Sequence, residues 1–244
     1  MRLPLQADVS GRLVRRYKRF LADVETADGR VLTVHCPNPG SMRGMNAPGS
    51  AVRCQAHDDP KRKLRHSLEM IRVGRIWVGT NTARANQLAE QLLSADGLPA
   101  LAGYRTLRRE VSLPAELREP GESVKTRLDF ALEDHPRDAR TAYVEVKSVT
   151  LASGTRARFP DSVTERGRRH METLAHLARS GLRAALLFVV QRGDCDSVEP
   201  ADDIDPAYGE ALRRAVRTGV EVHAVGARVT ARGIAVERAL PVVL

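Results

Sequence analysis

The sequence predicts two domains: a small all-β barrel over residues 1–83 and an α/β domain with a mixed sheet over 84–244. Three observations carry this expectation. Residues 1–83 hold 15 Lys+Arg against 7 Asp+Glu, a net of +8, whereas residues 84–244 hold 24 against 23, a net of +1. Short apolar runs separated by turn residues give way to helical spacing at Thr82. Beyond that point helix-like and strand-like segments interleave, the pattern of α/β proteins. The chain has 244 residues, suited to one large or two small domains, and 42% of them are hydrophobic, enough for a packed core.

The barrel strands are expected at 13–25, 31–34, 51–56, 64–73 and 75–79. Asp28-Gly29 supplies the turn before the second, and Gly74 joins the last two. About five short strands with basic connections suit a barrel of oligonucleotide-binding (OB) type. A helix is expected from Thr82, with Ala85, Leu88, Ala89, Leu92 and Leu93 on one face and Gly97 as its stop. Strands at 104–113, 127–132 and 142–147 follow, with a polar connection at 114–125. A helix at 163–179, a buried strand at 184–190, a helix at 206–218 and a strand at 220–225 complete the series.

Several classes are excluded or disfavoured. No apolar run reaches the roughly 18 residues of a membrane-crossing helix, and MRLPLQADVSG lacks the core of a secretory signal. Cys36, Cys54 and Cys195 stand far apart without a C-x-x-C pair, which argues against a disulfide framework and for buried thiols. The expected compartment is the cytoplasm. The chain has no phosphate-binding glycine loop, no G-x-S-x-G elbow and no H-E-x-x-H. All seven histidines read as surface or satisfied core residues.

The basic excess of the first domain falls in two clusters: Arg15, Arg16, Lys18 and Arg19, and Lys61, Arg62 and Lys63. Cations with an interleaved aromatic, Tyr17, fit phosphate contact and base stacking, so nucleic acid is the expected partner. The chemistry is expected in the second domain. Glu145 and Lys147 share one face of a strand while Val144 and Val146 take the other. Asp129 lies one hairpin earlier, where an adjacent strand brings it beside Glu145. Two carboxylates make a hard-oxygen site suited to Mg²⁺ or Mn²⁺. A metal there polarises a phosphate oxygen and acidifies a bound water, with Lys147 orienting that water or stabilising developing charge. This is the D…E-x-K arrangement of the restriction-endonuclease-like superfamily. Asp129 and Glu145 are the expected metal ligands. Glu90, on the preceding helix four residues after Asn86, is the expected additional carboxylate, with Glu110 as its rival. Gln191 ends the buried strand within reach of the same edge.

The stretches GRLVRRYKRFLADV, HCPNPGSM, DPKRKL, VGTNTARANQLAEQLL, TRLDFAL, AYVEVKSVTL and FPDSVTERGRRHMETL, with VVQR and DPAYGEAL beyond them, closely resemble the sugar fermentation stimulation protein family of bacteria and archaea. The resemblance implies DNA binding, an N-terminal OB-type barrel and a C-terminal nuclease-like domain. It carries Asp129, Glu145 and Lys147 over as the catalytic set. Pro39 stands where the family usually has Thr, Asp58 where Asn is frequent, and the connection at 116–125 is long for the family. The expected function is therefore a DNA-binding protein with a divalent-metal-dependent nuclease site. The alternative is a regulatory protein that binds DNA without cutting it; the absence of a helix-turn-helix weighs against sequence-specific control. A structural ion site in a small-molecule module ranks last.

Overall fold

The computed structural model describes residues 2–118 and 126–244. Residues 119–125, most of the long connection noted in the sequence, lie outside the described residues. In chain order the strands and helices are β1 (Arg2–Pro4), β2 (Val9–Tyr17), β3 (Leu21–Thr26), β4 (Val31–His35), β5 (Ala51–Ala56), β6 (His66–Val73), β7 (Ile76–Gly79), α1 (Ala83–Ser94), β8 (Thr106–Ser112), β9 (Arg127–Glu133), β10 (Ala142–Val149), β11 (Leu151–Ser153), β12 (Arg156–Phe159), α2 (Glu165–Arg179), β13 (Arg183–Val190), β14 (Ser197–Pro200), α3 (Pro206–Arg217), β15 (Glu221–Thr230) and β16 (Gly233–Ala239).

Five strands form the barrel in the order β4-β3-β2-β5-β6, closed by the parallel contact His35↔Ser67 between β4 and β6. Its interior is filled by Leu13, Val24, Val34, Val52, Cys54, Leu68 and Ile71, as a small barrel requires. The single strand expected at 13–25 is two strands. Lys18 and Arg19 turn the chain between them with φ of 46° and 62°. Neither is glycine, so the sequence carries no ordinary turn signal there.

The second domain is an α/β layer structure. β10, β13 and β15 run parallel at its centre, and β9 and β8 extend one side antiparallel. The apolar face holding Val144, Val146 and Leu187 packs with Leu88 and Leu92 of α1. The opposite face holds Tyr143, Leu186 and Phe188 with Met171, Leu174 and Tyr208 of α2 and α3. Helices on both faces explain why the central strands are apolar almost throughout. Asp205 ties the two helices of that face together. Its side chain accepts from Tyr208 N (3.0 Å), capping α3, and from Thr164 N (2.8 Å) just before α2.

Three features were not expected. β7 leaves the barrel and meets β15 at Trp77↔Val229, so one 13-stranded sheet runs through both domains. β1 pairs with β16, and Leu5 and Ala7 enter the core beside α1. Residues 2–7 thus pack with the second domain although the expected boundary assigned them to the first. β11, β12 and β14 form a separate three-stranded sheet. All three cysteines are buried and unbridged, and burial pushes the Cys54 thiol up to about 12. Among the described residues, no helix is long and apolar enough to cross a membrane.

Candidate active site

A cleft of about 630 Å³ opens between the barrel and the sheet. It is lined by Asp129, Glu145 and Lys147 from β9 and β10, Asn86 from α1, Arg166 from α2 and Arg19 from the barrel. The ladder between β9 and β10 ends at Phe130↔Val144. One residue on, the Asp129 carboxylate replaces the strand partner: Oδ2 accepts from Val146 N (2.8 Å), and Oδ1 accepts from Asn86 Nδ2 (2.7 Å). Burial and the charge of Glu145 raise the Asp129 pKa above its ordinary value.

Glu145 is only 3% exposed. A solvated ion pair is therefore the wrong description of the E-x-K face, because α2 covers it. Glu145 Oε1 accepts from Lys147 Nζ (2.6 Å) and is bonded to His170 Nδ1. Its other oxygen, Oε2, is buried without any partner. Burial opposes ionisation, but Lys147 and His170 outweigh it and hold the Glu145 carboxyl below its usual value. His170 is the residue that sequence reasoning missed. It lies 25 positions from Glu145, and only the packing of α2 against β10 brings them together.

An orphaned carboxylate oxygen, with a second carboxylate whose ionisation it opposes, fits a hard divalent cation. Among the described residues no group of three or more His, Cys, Asp or Glu side chains is arranged to hold a metal. The site therefore offers two carboxylates rather than a full protein cage, the pattern of an ion that keeps several of its waters.

The other expected residues are placed differently. Glu90 pairs with Arg109 (3.2 Å) and does not line the cleft. The N-terminal end of α1 faces the site, so Asn86, not the residue one turn later, reaches Asp129. Glu110, with φ of 50°, turns its carboxylate to Arg127 (3.1 Å) at the exposed surface. Gln191 donates to Ser148 Oγ and Asn81 O, joining the sheet to the barrel exit.

Of the barrel cations, Arg15 is bound to Asp23 (2.8 Å) and lies over the Tyr17 ring, and Tyr17 also donates to Asp23. Tyr17 is thus held by its own barrel and is no free stacking surface. Arg16 donates to the carbonyls of Asn38 (2.9 Å), Gly40 (2.7 Å) and Ser41 (3.0 Å). Arg16 is engaged by the fold, whereas Arg15 pairs with Asp23 and keeps an exposed side chain. The loop that Arg16 holds is the HCPNPGSM segment. It docks on the cleft wall, where Ser41 Oγ donates to Asp161 O (2.6 Å) and Met42 N donates to Asp161 Oδ2 (2.9 Å). A Cβ on Gly40 would meet the Asp161 carboxylate and push it off Met42 N. Arg62 is half-buried and donates to Ser67 (3.2 Å). Lys18, Arg19, Lys61 and Lys63 are exposed.

Comparison with known proteins agrees with this architecture. Residues 14–80 match the SfsA N-terminal OB domain, and residues 83–233 match the sugar fermentation stimulation protein RE domain. The chain belongs to the sugar fermentation stimulation protein family. Homologues from Geobacter metallireducens (45% identical, 100% of both chains) and Halorhodospira halophila (48%, 97% of this chain and 96% of that one) are similar over nearly their whole length. One from Pseudomonas paraeruginosa is 49% identical over 95% of each. Among solved structures, Pyrococcus furiosus SfsA in complex with Ca²⁺ superposes with a TM-score of 0.86 at 26% identity, covering all of both chains.

Proposed function

We propose that this family member is a DNA-binding, divalent-metal-dependent nuclease whose second domain is restriction-endonuclease-like and whose active site is the cleft. The observation that carries the reading is the open Oε2 of Glu145 beside Asp129, with Lys147 fixed on the opposite oxygen. The Ca²⁺ complex of the Pyrococcus protein supports a divalent ion in this fold. Asp129 and Glu145 would hold Mg²⁺ or Mn²⁺, which supplies a Lewis acid for a phosphate oxygen and an acidified water. The reaction is hydrolysis: water attacks phosphorus, the ester P–O bond breaks, and a phosphate monoester and a free hydroxyl result.

In this scheme Lys147 orients water or stabilises charge on the phosphoryl oxygens. Asn86 and Val146 N hold the Asp129 carboxylate still. Arg19 and Arg166 both line the cleft, from the barrel and from α2, and would bind the phosphates flanking the reacting one. Glu90 is left out of the catalytic set. The test is cleavage of single-stranded, duplex and branched DNA and RNA with Mg²⁺, Mn²⁺ or EDTA. Metal-dependent cutting that Lys147→Ala abolishes is expected; no cutting of any substrate, or an active Lys147→Ala, contradicts it.

One observation favours the alternative of a DNA-binding regulatory protein that does not cut. Lys147 and His170 both already engage Glu145 at Oε1. That reading predicts DNA binding indifferent to Mn²⁺ and EDTA.

A further inference from the structure

We propose that His170 is the positioning residue of this site: it fixes the Glu145 carboxylate so that Oε1 is closed and Oε2 alone stays open to a cation. The inference rests on the metal-site reading above and concerns a residue outside the D…E-x-K set.

His170 is 6% exposed, on the inward face of α2 beside Gly167, Met171 and Leu174. A buried histidine in such a place is ordinarily a core residue with a satisfied ring. Two details separate His170 from that case. Its Nδ1 and Lys147 Nζ converge on the same oxygen of Glu145, while Oε2 is left buried and unpaired. Among the described residues Glu145 Oε2 is the one carboxylate oxygen buried without a partner, and a carboxylate serving only the fold ordinarily has both oxygens satisfied. The second detail is the far side of the ring, where Arg166 Nε donates to His170 Nε2 (3.4 Å). An accepting Nε2 requires the proton on Nδ1, so Nδ1 is the donor to Glu145. The order Arg166 to His170 to Glu145 therefore has one direction. It holds the carboxylate plane as outer partners hold metal ligands elsewhere. Arg166 also lines the cleft, which connects this chain of bonds to the wall where a phosphate would lie.

The experiment is a Mn²⁺ titration of the full chain without DNA, read by the loss of the free-ion EPR signal, with a thermal melt of each variant. Losing an outer partner typically weakens a metal about 10–100-fold, and that loss is expected for His170→Ala. His170→Asn, which places an amide where Nδ1 lies, should recover most of the affinity. His170→Gln, whose amide falls where Nε2 lies, should not. The Asn and Gln variants are similar in volume, so their difference reads donor position even where Ala fails to fold. A wild-type chain that binds Mn²⁺ with Asn and Gln variants of equal affinity overturns this inference alone. A wild-type chain that binds no Mn²⁺ overturns the metal-site reading, and this inference with it.

Discussion

The barrel and the cleft each gather a dense group of charges, and they dispose of them differently. In the barrel, Arg15 is tied to Asp23 while its side chain stays 66% exposed, and Arg16 is held by three carbonyls of the 38–41 loop with its Nε buried and unpaired. In the cleft, Glu145 keeps one buried oxygen unpaired and Asp129 keeps a charge that its surroundings disfavour. The first arrangement spends its cations on acceptors of its own barrel. The second leaves a carboxylate oxygen at the cleft without a donor. An unpaired carboxylate oxygen beside a second carboxylate in a cleft, rather than charge density or a single unpaired atom, marks where a cation belongs.

The largest effect is expected at the cleft. Glu145→Ala and Lys147→Ala should each lower single-turnover cleavage by on the order of 10²–10³-fold, the typical cost of removing a group that stabilises transition-state charge. Glu145→Ala should leave metal-free DNA binding unchanged or tighter, because like-charge repulsion with phosphate is relieved. Weaker metal-free binding would place Glu145 in the fold rather than the chemistry.

Arg16→Ala should act through stability instead. Hydrogen bonds from a charged donor are worth about 1.5–3 kcal/mol each when a partner is removed, so the loss of this one side chain should lower the melting temperature by several degrees. The dependence of DNA binding on salt should stay unaltered. A flatter salt dependence with an unchanged melt would return Arg16 to the phosphate backbone.

The two carboxylates should also separate by pH. Asp129 is raised in the folded chain, so the native state takes up its proton first. Its contribution to stability rises as pH falls through the raised value and is level below the ordinary 3.8. Glu145 is lowered, so its contribution is present above the ordinary 4.5 and lost as pH falls through the lowered value. Mn²⁺ affinity should accordingly fail on acidification at a pH above 3.8, and Asp129→Asn should remove that midpoint. A midpoint at or below 3.8 would contradict the crowding of the two charges.

Smaller effects are expected from the exposed cations. Lys61→Ala, Lys63→Ala and Arg19→Ala should each flatten the slope of log affinity against log salt by about 0.7–0.9 for every phosphate the chain no longer neutralises. Unchanged slopes for all three would remove the barrel from the DNA interface. The smallest effect is expected at Glu90. Its exposed pairing with Arg109 predicts cleavage within about twofold of wild type for Glu90→Ala, since surface ion pairs contribute little. A large loss would mean that α1 brings Glu90 into the working site.

Much of the frame is legible in the residues. The apolar face of 85–93 announces α1, and the alternation at 142–147 announces β10, because each repeats a period that only one regular structure has. The elements that escape have physical reasons too. β1, β11, β12 and β14 are three or four residues long, too short to carry a period. Lys18 and Arg19 take left-handed backbone without glycine. Within the site, the pairing of Asp129 with Glu145 follows from one hairpin and can be read. Asn86 and His170 reach it through the crossing of α1 and α2 over the sheet, and nothing in the local sequence states where a helix crosses. A carboxylate is the better metal ligand, which favours Glu90 over Asn86 on chemistry alone; the helix end that faces the cleft decides otherwise.

Crystals soaked in Mn²⁺ show whether the unpaired oxygen of Glu145 is a metal position. Anomalous difference density should appear at one place in the cleft, in contact with Glu145 Oε2 and the Asp129 carboxylate, and should vanish in Glu145→Ala crystals. A cleft without density at millimolar Mn²⁺, or density elsewhere that Glu145→Ala leaves in place, would contradict it.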